Sequence, residues 1–338
     1  MKKLKKPEAL KKGDTIAIVT PSSDIIRFPK RRERSIKFLE EKGYKVKIMK
    51  NALKSDGYSA GTPEERADDI NTAFKDDSIK AIIASTGGLT ANAVIPYLDY
   101  QVIENKPKIF CGYSDIDTLL LMITSRSNII TFHGPTLLPS FGEYEGSVSF
   151  TFEQFEKVVS SKKAPGILPY AKLFTTDNQY WDKEDNKELK MRKVPNLYSI
   201  GPKREIIGKL FGGNLQTFAM LIHEPDFFNM KGCILFLEEQ GLSTDWYERT
   251  FIEIERKGIF EEISALVLAK PSGSFEESNK EKRPLKKVLE ELSEKHNLPI
   301  LANVDCGHTK PLLTFPLGVN AELDINKKSI RITEAAVV

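Results

Sequence analysis

Between residues 15 and 133, short apolar runs alternate with stretches of helical periodicity, and no other feature narrows the fold as much. Thr15-Ile16-Ala17-Ile18-Val19-Thr20 is apolar and β-branched, then stops at Pro21-Ser22-Ser23, as a strand covered on both faces does. Arg31 to Lys42 reads as a helix closed by Gly43, a residue free to turn left-handed. Lys45 to Met49 is a second strand. Thr62-Pro63-Glu64-Glu65-Arg66 supplies a cap, an N1 proline and an acidic first turn for a helix reaching Phe74. Lys80 to Ser85 is a third strand, ended by Thr86-Gly87-Gly88; strands at Ile109–Gly112 and Asn128–Phe132 follow. Strands separated by helices pair in parallel, so the expected N-terminal architecture is a doubly wound, mostly parallel α/β sheet. Ligands bind such sheets at the loops beyond the strands' carboxyl ends.

A chain of 338 residues suits two domains better than one. From Ile206 a second set of strand-like runs begins. Gly208–Leu215, Cys233–Leu237, Ala265–Ala269 and Ile300–Val304 alternate with helical stretches at Trp246–Arg256 and Lys286–Lys295. Phe315–Asp324 and Ser329–Thr333 read as closing antiparallel strands. We therefore expect an N-terminal α/β domain over 1–145, an interdomain linker and substrate loop over 146–203, and a β-rich α/β C-terminal domain over 204–338. The linker is expected to be irregular, with a polar tract from Thr175 to Lys193 interrupted by Tyr180 and Trp181.

Composition excludes several classes. Lys plus Arg number 50 against 47 Asp plus Glu, leaving +3 and no basic stripe for a nucleic acid polymer. The basic start, Met1-Lys2-Lys3-Leu4-Lys5-Lys6, has no apolar segment behind it, and no run reaches membrane-spanning length; the cytoplasm is the expected compartment. Three dispersed cysteines and four histidines show neither disulfide nor metal-ligand spacing, so no metal or cofactor is expected.

Chemistry concentrates at Gly112-Tyr113-Ser114-Asp115-Ile116, where a strand meets a helix with a serine at the apex. Such an elbow exposes a hydroxyl and aims the next backbone amide at a developing oxyanion. Glu238 and His308 occupy the same kind of position, just past an apolar strand. An imidazole can take the serine proton, and a carboxylate can hold the imidazole. Each has an ordinary alternative: a helix cap for Ser114, a solvated strand-end acid for Glu238 or Glu239, a hydrogen-bonded loop residue for His308. His133, before Gly134-Pro135, reads as a turn residue, and Cys111 as core. Their joint placement favours a hydrolase over a two-domain binding protein. A Rossmann-type enzyme lacks its glycine fingerprint, since Thr20-Pro21-Ser22-Ser23 follows the first strand.

The chain resembles the serine peptidase family that includes the LD-carboxypeptidases of peptidoglycan recycling and the microcin C self-immunity peptidases. The resemblance rests on Gly13-Asp14-Thr15-Ile16-Ala17, Pro21-Ser22-Ser23, Gly61-Thr62-Pro63-Glu64-Glu65-Arg66-Ala67-Asp68-Asp69, Gly87-Gly88 and the elbow. It continues through Phe132-His133-Gly134-Pro135, Gly212-Gly213-Asn214-Leu215, Leu237-Glu238 and Gly307-His308-Thr309-Lys310-Pro311. It implies Ser114 as nucleophile, Glu238 as acid and His308 as base, with the amides of Gly88 and Asp115 as the oxyanion hole. Where carboxypeptidase members tend to carry Arg-Gly-Gly-Tyr-Gly, this chain has Thr86-Gly87-Gly88-Leu89-Thr90-Ala91-Asn92, and the Asn92 position and the long linker with Trp181 are more similar to the immunity branch. That branch implies Asn92, Trp181 and Asn214 at the substrate, with Trp181 stacked on a nucleotide base. The resemblance also implies a homodimer acting on a small peptide-like or aminoacyl-nucleotide molecule, either a microcin C-type conjugate or a muramoyl tetrapeptide.

Overall fold

The computed structural model describes residues 3–143, 147–176, 181–183, 189–272 and 283–338. In the first half β1 (Thr15–Val19), α1 (Pro29–Glu41), β2 (Lys45–Ile48), α2 (Pro63–Lys75) and β3 (Ile79–Ala84) follow one another. They lead to α3 (Tyr100–Asn105), β4 (Ile109–Gly112), α4 (Asp117–Ser127) and β5 (Phe132–His133). The five strands pair in parallel in the order β2-β1-β3-β4-β5. This order reverses direction at β1/β3, where the loops diverge and leave a crevice. The start of α2 follows its local chemistry. Glu65 N donates to Thr62 Oγ1 at 3.3 Å and Thr62 N to Glu65 Oε2 at 3.1 Å, a reciprocal cap worth about 1 kcal/mol. The last strand is shorter than its apolar run suggests. Asn128 turns left-handed (φ 54°) to end α4, and Ile129 makes only an isolated bridge to Lys5.

The stretch expected to be irregular is partly regular. It contains α5 (Ser147–Ser160) and the short strands β6 (Gly166–Ile167), β7 (Leu173–Phe174), β8 (Arg192–Lys193) and β9 (Tyr198–Ile200). Phe152, Phe155 and Val159 share one face of α5 and bury it against Phe38 and Phe141. The flanking glycines, lysines and proline obscure that periodicity in the sequence. Tyr180 and the polar neighbours of Trp181 from Asp177 to Gln179, with Glu184 and Asp185, lie outside the described residues.

The second half runs β10 (Glu205–Asn214), α6 (Leu215–Leu221), β11 (Ile234–Glu238), α7 (Thr244–Arg256), α8 (Ile259–Glu262), β12 (Ala265–Ala269) and α9 (Leu285–His296). It ends with β13 (Ile300–Val304), β14 (Phe315–Pro316), β15 (Asn320–Asp324) and β16 (Ser329–Ile332). Its sheet has the order β6-β16-β15-β10-β11-β12-β13-β9, parallel across β10–β13 and antiparallel at both flanks. Both edge strands come from the connecting stretch. Conversely, β14 leaves the second half to pair with β5 of the first. The fold is mixed α/β with two large sheets and, among the described residues, a separate two-stranded β7-β8 pair; the buried apolar side chains form one continuous core.

Candidate active site

Ser114 follows β4 and opens a single 3-10 turn, residues 114–116, that leads into α4. Its φ is +66°, a left-handed conformation that costs a non-glycine residue roughly 1–3 kcal/mol. A Cβ on Gly112 would lie 2.6 Å from Ile116 Cγ2, so the glycine leaves room for the isoleucine that follows the serine. The elbow is thus closed by a different side chain from the glycine usual in Gly-x-Ser-x-Gly. Among the described residues the Ser114 hydroxyl makes no hydrogen bond, neither as a helix cap nor to His308. Contacts of this kind commonly tighten only around a substrate.

The loop after β3 runs beside that hydroxyl: a Cβ on Gly87 would lie 3.0 Å from Ser114 Oγ. Among the described residues neither the Gly88 nor the Asp115 amide donates a hydrogen bond. The loop's position is fixed by groups the sequence did not single out. Asp115 Oδ2 accepts from Ser22 Oγ at 2.5 Å and from Ala91 N at 2.9 Å. The buried Arg66 donates through Nη1 to the carbonyls of Pro21 (2.7 Å) and Thr90 (3.0 Å). The available signal was an arginine one residue before Ala67 on the inner face of a well-capped helix.

Glu238 ends β11, and His308 lies in the turn after β13. His308 Nδ1 is 2.6 Å from Glu238 Oε2, both being almost wholly buried. Burial opposes the charged imidazole, but the Glu238 carboxylate outweighs it and raises the His308 pKa above its ordinary 6.5. Burial likewise opposes ionised Glu238, and the attraction of His308 outweighs it, so that carboxyl is lowered. Nδ1 is therefore committed to the carboxylate, which leaves Nε2 for the cavity. Glu239 points elsewhere: it accepts from Gln240 N at 2.8 Å and Asn214 Nδ2 at 3.1 Å, and burial raises its pKa.

Ser114, Gly87, Gly88 and His308 line one cavity of about 500 Å³ at the β1/β3 crevice. Trp181 lines it too, at its far wall. The indole stands edge-on to Phe28 at 5.1 Å, with the Arg31 guanidinium 4.7 Å from its ring. Asp182 anchors this segment by accepting from Lys30 N (2.8 Å) and Arg31 N (2.7 Å), which caps α1 from a distance in sequence. Glu143, bonded to both Arg31 and Lys310, adds charge to the wall.

Two expected substrate residues lie elsewhere. Asn92 is exposed, and its Nδ2 is directed at Met220 Sδ, 3.8 Å away. Asn214 turns its side chain into the protein, where Oδ1 accepts from Thr217 N (3.2 Å) to cap α6 and Nδ2 reaches Glu238 and Glu239. Neither lines the cavity. His133 is more than a turn residue, since it forms a fully buried pair with Asp117 at 2.9 Å. All three cysteines are buried and free; burial pushes the Cys111 thiol well up, which suits a core residue. Among the described residues no group of His, Cys, Asp or Glu could hold a metal ion, and no helix is long and apolar enough to cross a membrane.

Residues 16–134 match the LD-carboxypeptidase N-terminal domain, and residues 207–323 match the LD-carboxypeptidase C-terminal domain. The microcin C7 self-immunity protein of Escherichia coli is 35% identical over 329 residues, covering 95% of this chain and 94% of that protein. A putative carboxypeptidase of Vibrio cholerae is 32% identical over 329 residues, with 97% of each covered. Among solved structures, that of the immunity protein MccF in complex with glutamyl sulfamoyl guanosine superposes with a TM-score of 0.91 at 31% identity. It spans 98% of this chain and 99% of the other.

Proposed function

The chain belongs to the LD-carboxypeptidase family of serine peptidases, and from that premise we propose that it cleaves an amide bond in a small aminoacyl-nucleotide conjugate through Ser114, His308 and Glu238. The observation that carries the reading is the 2.6 Å contact between buried Glu238 and His308, which lines the cavity that Ser114 also lines.

In this mechanism Ser114 Oγ attacks the amide carbonyl as His308 Nε2 takes its proton. Buried Glu238 fixes the imidazole through Nδ1 and stabilises the imidazolium. The tetrahedral oxyanion is stabilised by the Gly88 and Asp115 amides, which donate no other hydrogen bond among the described residues. His308 then returns the proton to the leaving nitrogen, the C–N bond breaks, and an acyl-serine remains. Water, deprotonated by the same imidazole, releases the acid and restores the hydroxyl. The nucleotide assignment is supported by Trp181, an indole on the cavity wall, and by the nucleoside ligand held by the relative MccF.

The test is turnover of an aminoacyl sulfamoyl adenosine and of a murein tetrapeptide by the wild type and by Ser114→Ala. Preference for the nucleoside compound is expected, with the variant slower by roughly three or more orders of magnitude. Near-normal turnover by the variant sinks the serine mechanism. Preference for the tetrapeptide moves the substrate to the carboxypeptidase branch.

A further inference from the structure

We propose that His133 and Asp117, neither of which lines the cavity, are positioning residues that hold the nucleophile half and the acid–base half of the site in register. This rests on the reading of Ser114, His308 and Glu238 given above. The geometry is a closed set of bonds among fully buried groups. His133 Nδ1 lies 2.9 and 3.1 Å from the two carboxylate oxygens of Asp117, and Nε2 lies 2.9 Å from the Cys306 carbonyl. Asp117 Oδ2 also accepts from the backbone amide of Asn214 at 2.8 Å. Each partner leads to a different proposed catalytic group. Asp117 sits at the head of α4, three residues beyond Ser114. Cys306 precedes His308 by two residues in the same turn, and the Asn214 side chain reaches Glu238 Oε1 at 3.3 Å.

With Asp117 ionised, both His133 nitrogens face acceptors, so both donate and the ring is an imidazolium. Burial opposes that charge, but the Asp117 carboxylate outweighs it and raises the His133 pKa. The charge is felt at the active site, where it adds to the lowering of the Glu238 pKa and works against the rise of the His308 pKa. The groups that face His308 are Glu238 and Glu239 at the end of β11, His133 on β5 and the Tyr113 ring at 5.0 Å. Those facing His133 are Asp117 on α4, Glu238, the Cys306 carbonyl, and the rings of Tyr113 and Phe236.

Two variants separate positioning from mere packing. Asp117→Asn can keep every bond: its carbonyl accepts from Asn214 N, its amide donates to a now neutral Nδ1, and Nε2–H still donates to Cys306. With the cation gone, the restraint on protonating His308 is lifted. The acid limb of kcat/KM is therefore expected to move to higher pH, while kcat on the alkaline side stays within about tenfold and the melting temperature changes little. Asp117→Ala frees both Asn214 and His133. It should lower kcat by roughly a hundredfold while KM stays within about threefold. An unmoved acid limb in Asp117→Asn overturns the proposal, even if Asp117→Ala fails to fold. So does Asp117→Ala with wild-type kcat. Ser114→Ala distinguishes the two levels: full activity there removes the catalytic reading itself, whereas an inactive Ser114→Ala beside normal Asp117 variants removes only the clamp.

Discussion

Trp181 meets the protein on one side and the cavity on the other, so its removal has two separable effects. The edge-on contact with Phe28 and the nearby Arg31 guanidinium are worth about 1 kcal/mol, a few degrees of melting temperature in a chain of this size. A purine stacked on the cavity side is worth about 1–3 kcal/mol. Trp181→Ala is thus expected to raise KM for a nucleoside substrate by roughly ten- to a hundredfold with little loss of stability. Turnover of a murein tetrapeptide, which has no base, should fall much less, and steady-state kinetics on both compounds with a melting curve decide the matter. Equal losses on both with a clearly lowered melting temperature would make the indole an anchor only. Asp182, which ties this segment to the head of α1, lends the indole its fixed place.

The two elements that meet at the serine, the turn after β3 and the elbow after β4, carry the two amides proposed for the oxyanion hole, held by backbone shape together with the side chains of Asp115, Ser22 and Arg66. Gly88 has φ +153°, and a Cβ there would lie 2.3 Å from Ser22 Oγ and 2.8 Å from the Ser23 amide. Gly88→Ala must push the turn away from Ser22 and Ser23 and so displace the Gly88 amide. A kcat loss of about 10²–10³ is expected, in line with removal of one oxyanion donor, with the fold retained by circular dichroism. Unchanged kcat would mean that this amide faces no developing charge. Elements whose reasons are local were legible in the sequence: the capped start of α2, the buried parallel strands and the elbow. What escaped it depends on distant partners. The periodic face of α5 means little until Phe38 and Phe141 are known to lie opposite it. Asn214 reads as a ligand-facing residue until its own helix claims its oxygen, and His133 as a turn residue until Asp117 and the Cys306 carbonyl are brought to either side of it.

At the scale of the molecule the halves are interleaved. The connecting stretch supplies both edges of the second sheet, β14 returns to close the first, and Ala9 N donates to the Val338 carbonyl at 2.9 Å. With one continuous core, unfolding should be a single event. The two tryptophans test this, because Trp181 rests against α1 and Trp246 lies on α7. Fluorescence of Trp246→Phe and Trp181→Phe in denaturant should give the same midpoint, shared with loss of activity; separated midpoints would show that the halves melt independently. The interleaving also orders events when the chain is made. Ser114 leaves the ribosome long before Glu238, and His308 comes later still, with β14 behind it. Under the proposed mechanism a half-finished copy therefore carries an elbow with no base to arm it, and its serine stays silent until the end of the chain has arrived to close the sheet that bears it.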